Sequence, residues 1–253
     1  MLMPLLAGRA FQRGLKSAAV LTPAYAEHAR TARMAGLAVR EVAGLSELRD
    51  LDYAVVINPN NPDGRVTDRS DLMALAHHMS QKRGVLIVDE AFIETGYGIS
   101  LADATDIEGL VVLRSFGKFY GMAGLRLGFA IAHPDTARSL ENRLGPWAVS
   151  GPAHFVATQA LADEAWREAL RLHLKEEAAR LDGLLNSAGL TVIGGTSLFR
   201  LIRDERAADL FEHLAQRGIL ARIFDERPGD MRFGLPATEA EWERLQAALS
   251  HFR

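Results

Sequence analysis

Three continuous apolar runs, each closed by polar or turn-forming residues, organise the first half of this chain. Tyr53-Ala-Val-Val-Ile57 stops at Asn58-Pro-Asn-Asn-Pro62, Gly84-Val-Leu-Ile-Val88 stops at Asp89-Glu90, and Gly109-Leu-Val-Val-Leu113 leads into Arg114-Ser-Phe-Gly-Lys118. Short apolar runs without alternation read as strands buried on both faces. Residues 24–35 and 68–82 carry a helical period, Leu37–Val42 alternates, and Leu127–Ala132 adds a further strand. Buried strands alternating with helices predict an α/β domain with a mainly parallel or mixed sheet flanked by helices, because helical crossovers cover both faces of such a sheet.

The texture changes after Pro146. Pro152–Ala188 is helical in period, with no Pro or Gly between Ala153 and Asp182, and reads as one long helix or two. Short strands at Thr191–Ile193, Ser197–Ile202, Ile219–Arg222 and Met231–Gly234, a helix over Ala207–Arg217 and a closing helix from Thr238 predict a small α+β domain. The expected division is a large ligand-binding domain over 1–150, and a connecting helix with the small domain over 151–253. Residues 1–26 hold Arg9, Arg13 and Lys16 but no acid, as transit peptides do; their apolar spacing reads better as part of a helix.

Composition narrows the chemistry. The chain has 253 residues, 48% hydrophobic and 24% charged, with a net charge of −3 and both signs interspersed. Nothing forms a basic stripe for nucleic acid, and no stretch approaches a membrane span, so the expected partner is a small molecule. The absence of cysteine excludes disulfides and thiolate chemistry and fits a reducing compartment, with cytoplasm the default expectation. His77-His78 reads as a helix face rather than a metal site, since adjacent helical residues do not converge.

Ligands of open α/β sheets gather beyond the carboxyl ends of the strands. Asn61, Asp89 and Lys118 follow the three apolar runs, 28 and 29 residues apart, close to one strand–helix–strand unit of about 30 residues. An amide, a carboxylate and an amine can therefore face one ligand. Lysine at a buried strand end is costly unless paired or neutralised, and a neutral amine is a nucleophile able to form a Schiff base. Taken singly, Lys118 reads better as a surface lysine, and Asp89 equally as a capping residue. Together the three suit pyridoxal 5'-phosphate, whose aldehyde takes a lysine, whose ring nitrogen takes an acid and whose phenolic oxygen takes a neutral donor.

Asn61-Pro-Asp-Gly64, Asp89-Glu-Ala-Phe92 and Ser115-Phe-Gly-Lys118 with Arg126 resemble, in order and spacing, the motifs of the fold-type I pyridoxal-phosphate enzymes of the class I/II aminotransferase group. The resemblance implies that Lys118 is the Schiff-base lysine, Asp89 the pyridinium partner and Asn61 the donor to the phenolic oxygen. It implies Ser115 and Arg126 as phosphate ligands, Tyr25 as the ring stacked on the cofactor, His28 as a hydrogen-bond partner of Asp89, and Arg232 as the clamp on the substrate carboxylate. It also implies a homodimer. Ser115-x-x-Lys118 matches a penicillin-binding spacing too, but no Ser-Asp-Asn or Lys-Thr-Gly element accompanies it.

Two departures stand out. Phe92 occupies a position where the family usually carries a tyrosine whose hydroxyl helps bind the phenolic oxygen. The chain also reads as starting inside the helix after a Gly-Ser-type turn that would cradle the phosphate, which leaves Ser115 and Arg126 an incomplete cup. Within the group, Asn58-Pro-Asn-Asn-Pro-Asp-Gly64 and Leu144-Gly-Pro-Trp-Ala-Val-Ser150 look most similar to the threonine-phosphate decarboxylases of cobalamin biosynthesis. Histidinol-phosphate aminotransferases are near relatives. Decarboxylation of O-phospho-L-threonine is the first expectation, transamination of histidinol phosphate or a similar amine the second, and an inactive remnant that binds cofactor weakly the third.

Overall fold

The computed structural model describes residues 2–252. The chain forms two compact units, Met1–Asn61 with Arg65–Asp163, and Pro62–Gly64 with Glu164–Arg253.

The first unit runs α1 (Leu2–Gln12), β1 (Ser17–Leu21), α2 (Glu27–Met34), β2 (Ala38–Val42), β3 (Tyr53–Ile57), α3 (Arg69–Gln81), β4 (Val85–Asp89), β5 (Leu110–Ser115), β6 (Gly128–Ala132), α4 (Pro134–Leu144) and α5 (Gly151–Ala162). Its sheet has the order β2-β1-β3-β4-β5-β6, parallel except for β6, which pairs antiparallel with β5. Successive strand residues point to opposite faces, so each apolar run feeds two cores. Val56, Leu86, Val88 and Val112 pack with Leu72, Leu75 and Met79 of α3, while Val55, Ile87, Val111 and Leu113 pack with Leu6 and Ala10 of α1 and Ala29 of α2. Burying one such side chain contributes about 1.5–3 kcal/mol, which explains why the runs are apolar without alternation.

Strand β1 is the one element of this sheet that the sequence pattern concealed. Ser17-Ala-Ala-Val-Leu21 is rich in alanine, a residue depleted in strands, yet Ala18 and Ala19 are fully buried between β2 and β3.

The second unit contains α6 (Glu164–Ser187), β7 (Thr191–Thr196), β8 (Phe199–Arg203), α7 (Ala207–Ala215), β9 (Arg222–Ile223), β10 (Asp230–Gly234) and α8 (Glu239–Ser250). Its antiparallel sheet, β7-β8-β10-β9, packs Ile202, Met231 and Phe233 against Leu181, Leu185, Leu210 and Trp242. Pro62–Gly64 belongs here. Gly195 N donates to Asp63 O at 2.8 Å, and a Cβ on Gly64 would lie 1.9 Å from Gly195 O. Gly64 has φ of 73° and β7 changes register between Val192 and Gly194, so glycine is what lets the two backbones meet.

The division therefore differs from the expected one at residue 150. Helix α5 clusters with the first unit, and the break comes at Asp163, whose φ of −84° and ψ of 80° leave the helical region and separate α5 from α6. Among the described residues no helix is long and apolar enough to cross a membrane.

Candidate active site

Strands β1, β3, β4 and β5 are neighbours and parallel, so the segments that follow them share one edge of the sheet. These segments carry Tyr25 and His28, Asn61, Asp89, and Ser115 with Lys118. Register refines the grouping: Ile57 pairs with Asp89, and Asp89 with Leu113. Asp89 continues the face of Val85 and Ile87, and Ser115 that of Val111 and Leu113, so both lie on the side covered by α1 and α2.

Asp89 is held by donors on both oxygens. His28 Nε2 lies 2.7 Å from Oδ2, and Ala91 N donates to Oδ1 at 3.0 Å. His28 is only 2% exposed, so this helix residue faces the sheet and not solvent. Tyr25 is 48% exposed, with its ring edge-on to His28 at a centroid distance of 6.3 Å. Asn61 is half-buried in a loop pinned at its neck: Asn60 N donates to Arg65 O at 2.8 Å, and Asn60 Nδ2 to Pro23 O at 2.7 Å.

Lys118 corrects one expectation. It is exposed rather than buried, because Phe116, Phe119 and Tyr120 take the interior positions of its segment and Phe116 stacks on Tyr120 at 4.2 Å. Its amine lies 5.6 Å from the centroid of the buried Phe92 ring, three residues beyond Asp89. Ser115 Oγ accepts from Gly117 N at 3.3 Å. Arg126 is exposed, donates through Nη1 to Ala123 O at 3.1 Å, and has φ of 54°, a left-handed conformation uncommon outside glycine. Such outliers cluster where structure is held for function.

Arg232, on β10 of the second unit, is half-buried with its guanidinium 4.8 Å from the Phe199 ring centroid. Its register partner is Arg222, the last residue of the strand expected over Ile219–Arg222; the structure places that strand, β9, at Arg222–Ile223, and only its pairing with β10 brings the two arginines together. Burial first, and the Arg222 charge second, hold the Arg232 guanidinium below its ordinary pKa, so an anion bound there would be favoured. His77 and His78 do not converge: His77 is exposed and His78 Nε2 bonds Arg49 O at 3.1 Å. Among the described residues no group of three His, Cys, Asp or Glu is placed to hold a metal ion.

Acid, amine, amide, hydroxyl and guanidinium at neighbouring strand ends can together hold a flat, phosphorylated heteroaromatic ring. A family model described as aminotransferase class I and II matches residues 4–249. The chain belongs to this family. As a class I and II aminotransferase family member it is 46% identical over 238 residues to a threonine-phosphate decarboxylase of Pseudomonas aeruginosa, an alignment covering 92% of this chain and 71% of that one. It is 31% identical over 173 residues to a histidinol-phosphate aminotransferase of Thermoanaerobacter sp. (strain X514), covering 68% and 48%. In fold it is similar to the histidinol-phosphate aminotransferase from Sinorhizobium meliloti solved in complex with pyridoxal-5'-phosphate, with a TM-score of 0.83 and 22% identity over 97% of this chain and 73% of that one. The family's fold type I architecture is the one described above.

Proposed function

We propose that this chain is a pyridoxal-phosphate enzyme that converts O-phospho-L-threonine to aminopropanol phosphate and carbon dioxide. One observation carries the reading: Asn61, Asp89 and Lys118 follow three adjacent parallel strands, with Asp89 anchored 2.7 Å from His28. The 46% identity to a threonine-phosphate decarboxylase favours the reaction.

The donor set fits the cofactor. Lys118 presents an exposed amine for its aldehyde, Asp89 a doubly anchored carboxylate for its ring nitrogen, and Asn61 an amide for its phenolic oxygen. Ser115 and Arg126 supply a hydroxyl and a forked cation for its phosphate, and the Tyr25 ring can cover a face. When bound, pyridoxal phosphate supplies an electron-accepting ring for the pair freed as a bond to the substrate α-carbon breaks.

The chain's own groups decide which bond that is. Arg232 receives the α-carboxylate as a forked donor, and Arg222 adds a second positive charge for a substrate with two anionic groups. The orientation that Arg232 would give the substrate would favour loss of the carboxylate; an orientation favouring loss of the α-hydrogen would lead to transamination instead. Loss of carbon dioxide leaves the α-carbon one proton short, and the Lys118 amine delivers that proton. His28 keeps Asp89 oriented throughout. We take the working form to be a cytoplasmic homodimer serving cobalamin biosynthesis, as the family resemblance implies; a single-chain mass in solution would contradict the dimer.

The second reading, transamination, is supported by the relative 31% identical to this chain. Incubation with phosphothreonine and 2-oxoglutarate separates the two. Carbon dioxide and aminopropanol phosphate are expected; glutamate without carbon dioxide would overturn the decarboxylase.

A further inference from the structure

Next to the two residues that would touch the cofactor ring nitrogen and phosphate stand two others that face the opposite way. Glu90 follows Asp89, and Arg114 precedes Ser115. By strand alternation Glu90 and Arg114 belong to the α3 side of the sheet, with Leu86, Val88 and Val112. The ladder continues to this point, since Glu90 N donates to Leu113 O at 2.9 Å.

The Glu90 side chain is fully buried and both its oxygens are engaged. Leu101 N donates to Oε1 at 2.7 Å, Ser100 Oγ to Oε2 at 2.6 Å, and Arg114 Nε forms an ion-pair contact with Oε2 at 2.9 Å. The same guanidinium reaches Glu94 Oε1 at 2.5 Å and Ser100 Oγ at 2.9 Å. Glu94 sits in the short turn after Phe92, the ring beside the Lys118 amine. One arginine thus ties the chain next to Asp89, next to Ser115 and next to Phe92.

Stability is a poor explanation for such a cluster. Burial pushes the Glu90 carboxyl above its ordinary pKa, against the pull of Ser100, Leu101 and Arg114. Replacing a buried ion pair with apolar groups of similar size is often neutral or stabilising, whereas removing one partner is costly. A pair kept at this place is better explained by what it holds in position.

We infer that Glu90 and Arg114 are positioning residues, a cross-strand brace behind the candidate site that fixes the ends of β4 and β5 so that Asp89 and Ser115 present their oxygens at a set spacing. The inference rests on the cofactor reading for its consequence, but the brace itself can be tested without cofactor. Ala91 N and Gly117 N donate to Asp89 Oδ1 and Ser115 Oγ, at 3.0 and 3.3 Å, and so report the orientation of both.

The test compares full-length wild type with Glu90→Leu/Arg114→Met, an apolar replacement of the pair, and with Arg114→Lys, which keeps the charge but loses the fork. In cofactor-free protein, amide exchange at Ala91 and Gly117 is expected to quicken about fivefold or more while amides inside β3 and β4 keep their protection. Pyridoxal phosphate titrated into the same proteins is expected to bind about tenfold more weakly to the double variant, a loss of about 1.4 kcal/mol, with Arg114→Lys in between. Unchanged exchange at both amides, at a melting temperature near wild type, overturns the brace; if the double variant fails to fold, unchanged exchange in Arg114→Lys does so. Wild type that takes up no cofactor would instead overturn the cofactor reading, and leaves the exchange result to judge the brace.

Discussion

The two sheets of this molecule handle polar residues in opposite ways. In the first unit the central strands β3, β4 and β5 are apolar up to their last one or two residues, as in Tyr53–Ile57, where every residue is buried, and only the edge strand β2 carries charges, Arg40 and Glu41, along its length. In the second unit charge sits within the strands: Arg232 alternates with the buried Met231 and Phe233 and faces Arg222 across the ladder. The cause is layering. A parallel sheet covered by helices on both faces has free space only at its ends, whereas an antiparallel sheet with one packed face leaves the other for polar side chains. In the proposed function the first sheet's edge would bind the cofactor, and the second sheet's face the substrate's anions.

The largest expected effect comes from deleting the amine. Lys118→Ala should lower turnover by at least the roughly 10²–10⁴-fold of a lost proton-transfer group, with an unchanged melting temperature because Lys118 is exposed. Turnover within a few-fold of wild type would break the assignment. Next, Gly64→Ala should destabilise the protein by about 1–3 kcal/mol from backbone strain alone, and more from its approach to Gly195 O, as measured by denaturant unfolding. Little change would show that the Asp63–Gly195 contact is not part of the folded unit. Arg232→Lys replaces a fork with a point charge, and should raise the Michaelis constant about tenfold, or about 1.4 kcal/mol, while leaving cofactor affinity alone. Weakened cofactor binding in that variant would erase the division of labour between the sheets.

The smallest effect tests the far edge of the first sheet. Burial pushes the Asp52 carboxyl up, but hydrogen bonds from Lys16 N, Ser17 Oγ and Ser17 N outweigh it and hold the carboxyl below its ordinary pKa. A carboxylate depressed in the folded state adds stability above its unfolded pKa and loses it as pH falls through the folded value. Asp52→Asn should therefore lower the melting temperature by a few degrees at neutral pH, with the gap closing in acid, and should not alter cofactor affinity.

The same contrast explains what could be read in the sequence. A buried strand followed by a polar residue leaves a visible mark, so β3, β4 and β5 and the residues at their ends stand out in the bare chain. Strand β1 did not, because Ala18 and Ala19 meet their neighbours with side chains too small to carry a β signal. Arg222 lay in an expected strand, but its role was hidden because its pairing with Arg232 exists only through the register of β9 and β10. The brace was missed for a further reason: Glu90 and Arg114 lie 24 residues apart, and only the β4–β5 ladder brings them together. The exposure of Lys118 could not be read from its position after a strand either, since it depends on which flanking residues fill the interior, and Phe116, Phe119 and Tyr120 do.

The most direct test of the shared strand edge is covalent. Wild-type protein incubated with pyridoxal phosphate, reduced with borohydride and mapped by peptide mass spectrometry should carry one pyridoxyl group, on Lys118, and Asp89→Asn should weaken its uptake. Labelling spread over other lysines, or none at residue 118, would contradict the account.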